Sequence, residues 1–281
     1  MVIHIRSAKT SLMHESLGDL LPGFETHEEV LARRREIIRR LDGGDADESA
    51  TQVRNVLHRC RKGGRCRSAA CPVCTRTLRR FFIRDAIELV AKLQKEGEIN
   101  GFHCHAFSAV LAEEQHALGQ LAQADLRLIN ERLQRRHSRA DLPLVFAGVD
   151  VSHNEDSAGR WPPHWQFQVY GIVVGLGFEG VKERLAGYYP STDRIPRPLR
   201  VRFCSEIADA LSYTLKAKFV RRVSYVDDTG RMNTRKTDLK PPQLRELAAW
   251  LGQYPVSSRY VLTGCRRSGD QIVLLPSPDK T

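Results

Sequence analysis

Apolar residues recur at helical spacing in some stretches of the chain and alternate with polar ones in others. Val30, Leu31, Ile37, Ile38 and Leu41 follow Thr26 and Glu29, whose T-x-x-E spacing is a capping box, and predict a helix over 27–42. Gly43-Gly44 ends it, and DADESA reads as a linker. A second helix is expected from about Arg76 to Glu96. Gly101 to Ala109 alternates and predicts a strand. Residues 112–137 predict a long helix with Leu118, Leu121, Leu126, Ile129 and Leu133 as its apolar positions. Two β-rich runs follow, at 144–152 and 164–174. The polar stretch between them holds Pro162-Pro163, which cannot join a ladder, so the pair reads as a β-hairpin. Helices are expected at about 180–188, 204–220 and 242–252, with a polar loop over 223–240 and a last strand near 258–263. The order strand, helix, two strands, helix, strand predicts an α+β fold. Its antiparallel sheet would carry flanking helices in the split β-α-β, ferredoxin-like manner. Residues 1–49 read as an N-terminal helical extension, 50–98 as a basic Cys-rich segment with its helix, and 99–281 as the main domain.

Composition narrows the class. The 281 residues are 41% hydrophobic and 27% charged, which is globular, and the chain can bury a core without disulfides. No apolar run approaches the ~18–20 residues that span a bilayer. The opening MVIHIRSAKT lacks a signal peptide's apolar region, so a soluble cytoplasmic protein is expected, with no membrane partner. The net charge of +11 points to a polyanion, most simply nucleic acid. The charge is also uneven. Residues 50–84 hold ten Lys/Arg and no acid, and residues 212–240 hold eight basic and three acidic side chains. The first block repels itself unless an anion joins it.

That block carries Cys60, Cys66, Cys71 and Cys74. Cys71-Pro-Val-Cys74 is a C-x-x-C knuckle, and Cys60 and Cys66 complete a set of four thiolates suited to structural zinc. His58 is an alternative fourth ligand, and a redox pair or free thiols are the competing readings. Cys104, Cys204 and Cys265 are scattered and read as ordinary reduced thiols.

Alternation along His164-Trp-Gln-Phe-Gln168 puts His164, Gln166 and Gln168 on one strand face, and Trp165, Phe167 and Val169 on the other. A solvated sheet face explains this as well as a metal site does. One simple hairpin register pairs Ser152 with His164 and places Asp150 opposite Gln166. Asp150, His164 and Gln166 would then offer carboxylate, imidazole and amide oxygen to Mg²⁺ or Mn²⁺. In CSEIADALSYTLKAKF, Ile207, Leu211, Leu215 and Phe219 form the expected apolar stripe. Tyr213 and Lys216 lie off it and share a side at i, i+3, so they are either idle surface or a nucleophile beside a cation.

In this order, these pieces resemble the HUH endonuclease superfamily, in particular the rolling-circle replication initiators (Rep proteins) of plasmids. Pro163-His-Trp-Gln166 looks like the HUQ variant of the metal motif, and Tyr213-Thr-Leu-Lys216 like the Y-x-x-K nucleophile motif. Asp150 stands where the family has an acidic ligand, and CRSAACPVCTRTLRR (66–80) is similar to a Cys-rich zinc segment of plasmid Reps. GFHCHAFSA sits at the place of the family's first motif but departs from it at His103 and His105. An alignment to H-P-H-x-H-V would instead put Gln166 and Gln168 where both metal histidines stand.

The resemblance covers about residues 55–270 and implies an HUH-type nicking domain within 99–281. It implies a metal-dependent DNA nicking and joining enzyme, specific for a single-stranded or hairpin origin, with host replication proteins as further partners. Tyr213 would form a 5′-phosphotyrosine, Lys216 would steady the phosphate, and Asp150, His164 and Gln166 would hold Mg²⁺ or Mn²⁺. Zn²⁺ would sit on Cys60, Cys66, Cys71 and Cys74. Arg65, Arg67, Arg76, Arg79 and Arg80 would grip DNA phosphates. Two other readings stand beside it. One is a non-catalytic zinc-containing DNA- or RNA-binding protein. The other is an oxidoreductase, from Gly175-x-Gly177-x-x-Gly180 after a strand.

Overall fold

The structure is a computed structural model that describes residues 24–42, 48–97, 103–269 and 271–276. It is α+β, with a mixed sheet, helices packed on it and a cluster of four cysteines. The helices are α1 (His27–Asp42), α2 (Glu48–Arg59), α3 (Pro72–Lys95), α4 (Leu126–Arg139), α5 (Phe178–Ala186), α6 (Ile207–Ser212) and α7 (Pro241–Gly252). The strands are β1 (Cys104–Ala117), β2 (Leu144–Asp156), β3 (His164–Val174), β4 (Leu199–Phe203), β5 (Arg221–Val226), β6 (Met232–Thr237), β7 (Tyr260–Thr263), β8 (Cys265–Ser268) and β9 (Gln271–Leu274). None of these helices is long and apolar enough to cross a membrane.

The main sheet runs β4-β1-β3-β2-β5-β6, with β7 also paired to β2. Each neighbouring pair among its first four strands is antiparallel, whereas β5 lies parallel to β2. Strand β2 therefore has a divided outer edge. β7 pairs with Val145–Gly148 and β5 with His153–Asp156, so residues 149–152 have no strand neighbour on that side.

Alternation fixes what each sheet face does. Val145, Val149, Val151, Trp165, Phe167 and Val169 enter a core with Val30, Leu57, Leu126, Ile129 and Trp250, and Phe167 meets Trp250 edge-on at 5.3 Å. Burying aromatic side chains of this size stabilises by roughly 1.5–3 kcal/mol each. The opposite face is divided. Phe146 and Ile172 pack under α3 and α6, with Phe82, Ile83, Leu211 and Leu215. Farther along the same strands this face turns polar, with Asp150, Ser152, Gln166, Gln168 and Tyr170.

Several expected elements differ. The capping box forms: Thr26 N–H donates to Glu29 Oε2 and Glu29 N–H to Thr26 Oγ1, at 2.7 and 3.1 Å. Gly43, Gly44 and residues 45–47 lie outside the described residues, but Glu48, Ser49 and Ala50 of the expected linker open α2. The helix expected over 112–137 is really the second half of β1, a short turn and α4, which Asp125 caps by accepting from Arg127 N–H. Glu113 and Glu114 decide this locally, because they reach across to Arg136 and Arg132 of α4. The helix expected over 204–220 stops at Ser212, and Leu215 takes a left-handed φ of 57°. The polar loop expected over 223–240 contains the β5–β6 hairpin, closed by a turn in which Asp227 accepts from Thr229 and Arg231 N–H. The glycines at 175, 177 and 180 turn β3 into the nine-residue α5. Both neighbours of β3 are antiparallel, so the parallel unit that a dinucleotide site requires is absent there.

Candidate functional sites: a divided sheet edge and a four-cysteine cluster

The gap in the edge of β2 is filled by chain rather than by strand. The buried Arg259 donates through Nε to Val149 O at 3.2 Å and through Nη1 to Lys216 O at 3.0 Å. Ala217 N–H donates to Glu25 Oε1 at 3.0 Å, and His153 N–H to Val220 O at 3.2 Å. Leu215 lies against Gly148, where an added Cβ would come within 2.8 Å of its side chain. The absence of a side chain at 148 thus lets the Tyr213–Ala217 segment approach the sheet.

This packing brings Lys216 Nζ to 3.6 Å from Asp150 Oδ2 and to 4.8 Å above the Tyr170 ring. Arg259 Nη2 lies 3.9 Å from Asp150 Oδ1. Arg222 Nη2 donates to Tyr170 Oη and Gln168 Oε1, at 3.0 and 3.2 Å, and Tyr170 Oη donates to Gln168 Oε1 at 2.5 Å. Gln168 Nε2 continues the chain to Ser152 Oγ at 3.0 Å. Lys236 pairs in register with Arg222 and completes a group of cations around one carboxylate. Burial, then repulsion from Arg222 and Lys216, holds the Lys236 ammonium below the usual lysine range, with Asp150 opposing the shift. Asp150 Oδ1, Arg259 Nη2 and Arg222 Nε are buried with no hydrogen-bond partner. Lys216, Arg222 and Lys236, which repel one another, make this face suited to an anion, while the buried Arg259 and Asp150 lie beneath it.

Some sequence-predicted residues meet here and others do not. Asp150 and Lys216 are brought together. Tyr213 is not on a helix face with Lys216. It ends α6 as its C-cap and is half exposed, and Lys216 follows the left-handed Leu215. The hairpin register is also two positions from the expected one. Asp150 pairs with Gln168, Ser152 with Gln166 and Asn154 with His164. Strand rise then separates Asp150 from His164 by four residues, or about 13 Å along the ladder. His164 Nδ1 lies 3.0 Å from Pro162 O. Gln166 Nε2 donates to Leu111 O, Glu114 O and Phe167 O at 2.7, 3.3 and 3.2 Å, filling the bulge of β1 between Val110 and Gln115. Asp150, His164 and Gln166 therefore do not fit one divalent ion. The turn caused the register error, because β2 continues through Asn154 to Asp156 instead of ending at Ser152.

Arg222, Lys236, Tyr170 and Arg259 escaped the sequence reading. Lys236 fell in the stretch read as loop and Arg222 just before it, although R-R-V-S-Y-V and M-N-T-R-K-T flank a D-D-T-G turn signal. Arg259 had no readable signal, since an arginine before an apolar strand looks like surface.

The second site is the cysteine cluster. Cys71 is the N-cap of α3, Pro72 occupies its first turn, and Cys74 follows within that turn. Cys60 directly follows α2, and Cys66 comes from the loop between α2 and α3. Their ligand atoms all lie within 4.8 Å of one another. Cys60–Cys74 and Cys66–Cys74 are 3.6 Å apart and Cys60–Cys71 3.7 Å. Tetrahedral zinc with Zn–S near 2.3 Å requires S···S of about 3.8 Å, so the four cysteines can hold a structural metal such as zinc. Hydrogen bonds from Cys66 and Cys71 pull the Cys74 thiol down to about 2, while sharing with Cys66 and Cys74 pushes Cys71 up. His58 is exposed and outside the cluster. The loop is tied to the C-terminal half of the chain by Ala69 N–H to Tyr254 O and Val256 N–H to Arg67 O, at 2.9 and 2.7 Å.

The arginines expected to grip DNA divide. Arg67 is exposed, and Arg65 and Arg80 are partly so. Arg79 is fully buried in an ion pair with Glu25 at 2.5 Å and stacks over Phe24 at 4.5 Å. Arg76 is buried beside it, donating to Glu25 O at 2.7 Å. These two hold the segment before α1 onto α3 and are not available to DNA. No protein-family model, curated protein or solved structure matches the chain.

Proposed function

We propose that this protein nicks and rejoins DNA as plasmid rolling-circle replication initiators of the HUH type do, using the polar sheet face. The observation that carries the reading is the 3.6 Å approach of Lys216 to Asp150, which sets the cation of the Y-x-x-K motif on that face. The strand order β4-β1-β3-β2, with α4 crossing from β1 to β2, supports a ferredoxin-like, HUH-type frame. In the reaction, the Tyr213 oxygen bonds the phosphorus of a phosphodiester and loses its proton to water. The bond to the 3′ oxygen breaks, and that oxygen leaves as a hydroxyl after taking a proton. Lys216, Arg222 and Lys236 offset the phosphate charge. Asp150 orients Lys216 through their ion pair. Exposed Arg67 and the partly exposed Arg65 and Arg80 would hold flanking phosphates, and zinc on the four cysteines would shape that loop. Asp150, His164 and Gln166 do not meet around one Mg²⁺ or Mn²⁺, so the charge is offset by Lys216, Arg222 and Lys236.

Incubation with single-stranded oligonucleotides, with and without Mn²⁺, followed by a denaturing gel, tests this. A protein–DNA adduct that disappears in Tyr213→Phe is the expected result. The separation of Asp150 from His164 favours a second reading, a non-catalytic DNA-binding protein on the same face. Intact binding with no adduct across a broad oligonucleotide pool selects it.

A further inference from the structure

Helices α1 and α7 both line a cavity of about 550 Å³. Leu244, Leu247 and Leu251 share one face of α7 and give it an aliphatic wall. Small side chains, Ala217 and Ala248 among them, leave the space open. The opening is local, because at the C-terminal end of α7 Val53 of α2 leaves no room for a Cβ on Gly252. The charged groups around the cavity are engaged, with one exception. Glu29 accepts from Thr26 N–H, Glu36 holds Arg39 and Arg40 at 2.5 and 2.7 Å, and Asp238 pairs with Lys218 at 3.2 Å. Arg33 has no carboxylate within 4.0 Å among the described residues, and its Nε is buried with no hydrogen-bond partner. Burial pulls its guanidinium below the usual arginine range, with Glu25, Asp238 and Glu29 opposing the shift.

We propose that this cavity binds an aliphatic carboxylic acid of about ten carbons, with its carboxylate on Arg33 and its chain along α7. The planar guanidinium fork matches a carboxylate with two parallel N–H···O bonds, and the bond satisfies a buried donor that the fold leaves unpaired. Leu244 to Leu251 spans about 10 Å at about 1.5 Å per residue, which suits a chain of that length. The volume falls within the roughly 300–1,000 Å³ of small-molecule sites, which are mostly apolar with a few placed polar groups. An incoming anion meets acids already engaged and one unpaired cation. Ala217 and Phe219 also line the cavity, so a bound acid would brace the segment that follows Lys216. Tyr213, Lys216, Arg222 and Lys236 do not line it, so this binding is independent of the nicking reading.

Calorimetric titration of the full chain with decanoate, octanoate and decanol tests this. Decanoate is expected to saturate a single site per chain. Octanoate, shorter by two methylenes, should bind about tenfold more weakly. Decanol, which offers Arg33 no charge, should also bind about tenfold more weakly than decanoate. Arg33→Met keeps an apolar stem and should bind the acid and the alcohol alike. Ala32→Trp, at an exposed position lining the cavity, should weaken both about tenfold. Circular dichroism verifies folding of both variants. Bound decanoate should slow amide exchange at Ala217 and Leu247, which places it in this cavity. Absence of saturable decanoate binding, equal affinity of wild type for decanoate and decanol, an acid preference unchanged in Arg33→Met, or unchanged exchange at both amides overturns the proposal. Absence of the Tyr213 adduct with decanoate binding intact would overturn the nicking reading alone.

Discussion

Gly148 carries more of the candidate site than its lack of chemistry implies. A Cβ there would meet Leu215 Cδ2 at 2.8 Å and the Leu215 amide at 3.2 Å, and Leu215 sits between Tyr213 and Lys216. Gly148→Ala is therefore expected to push the 213–217 segment off β2, lengthen the Lys216–Asp150 contact and cost about 1–3 kcal/mol of stability. Urea unfolding measures the second effect, and DNA affinity at fixed salt the first. Gly187→Ala, whose Cβ meets nothing within 4 Å, is the control and should change neither. At this scale the structure brings together two residues that the sequence reading singled out, Asp150 and Lys216, because a carboxylate in an apolar run and a lysine off the apolar stripe are visible as residue types. The sequence reading could not see their supports. Arg259 and Glu25 reach the segment from 43 residues after Lys216 and 192 residues before Ala217, and no local pattern encodes such contacts.

Among elements, what was legible followed periodicity. Helix α1, strand β3 and helix α7 came out close to their bounds because their apolar spacing is unambiguous. The second half of β1 did not, since Leu111 and the charged Glu113-Glu114 fit a helix face as well as a bulged strand. The hairpin register failed for a related reason: a turn of unknown length leaves pairing free to slip by two without changing which face is polar. The cysteine knuckle was readable because C-x-x-C at a helix start is local geometry. Its role as an element follows from its two ties to residues 254–256. Metal analysis of the purified protein should give one zinc per chain, and Cys74→Ser should lose it. Chelation should lower the melting temperature and release the loop, read as faster amide exchange at Ala69 and Val256, since ligand binding to the folded state alone stabilises it.

At the scale of the molecule, the helical N-terminal part, the cysteine loop and the sheet share one core, in which Val30, Leu57, Cys71, Val149 and Trp250 belong to a single cluster. That core also encloses two histidines. His137 of α4 meets the Phe107 ring edge-on at 5.7 Å, and His153 of β2 meets Trp165 at 5.0 Å. Burial, aided by Arg136, pulls His137 down to about 4. Burial also pulls His153 down to about 4, against the opposing Glu155. Both folded values lie below the unfolded one near 6.5, so the unfolded chain takes up these protons first. The stability they leave intact is full above about pH 6.5 and declines as pH falls through that value toward about 4. At 1.36 kcal/mol per unit, each histidine accounts for at most about 3 kcal/mol of the loss, a large share of a typical 5–15 kcal/mol. His137 is the cleaner probe. Its Nε2 has no partner and its Nδ1 only Thr263 Oγ1 at 3.5 Å, so His137→Leu removes a titrating group while breaking little. Urea unfolding at pH 7.5 and pH 5.5 should show wild type losing stability on acidification and His137→Leu losing less, by about 1.3 kcal/mol. Because the cysteine site titrates identically in both proteins, the difference between them isolates the histidine. Equal losses would mean that His137 is protonated inside the fold and that the core around α4 is wetter than its packing indicates.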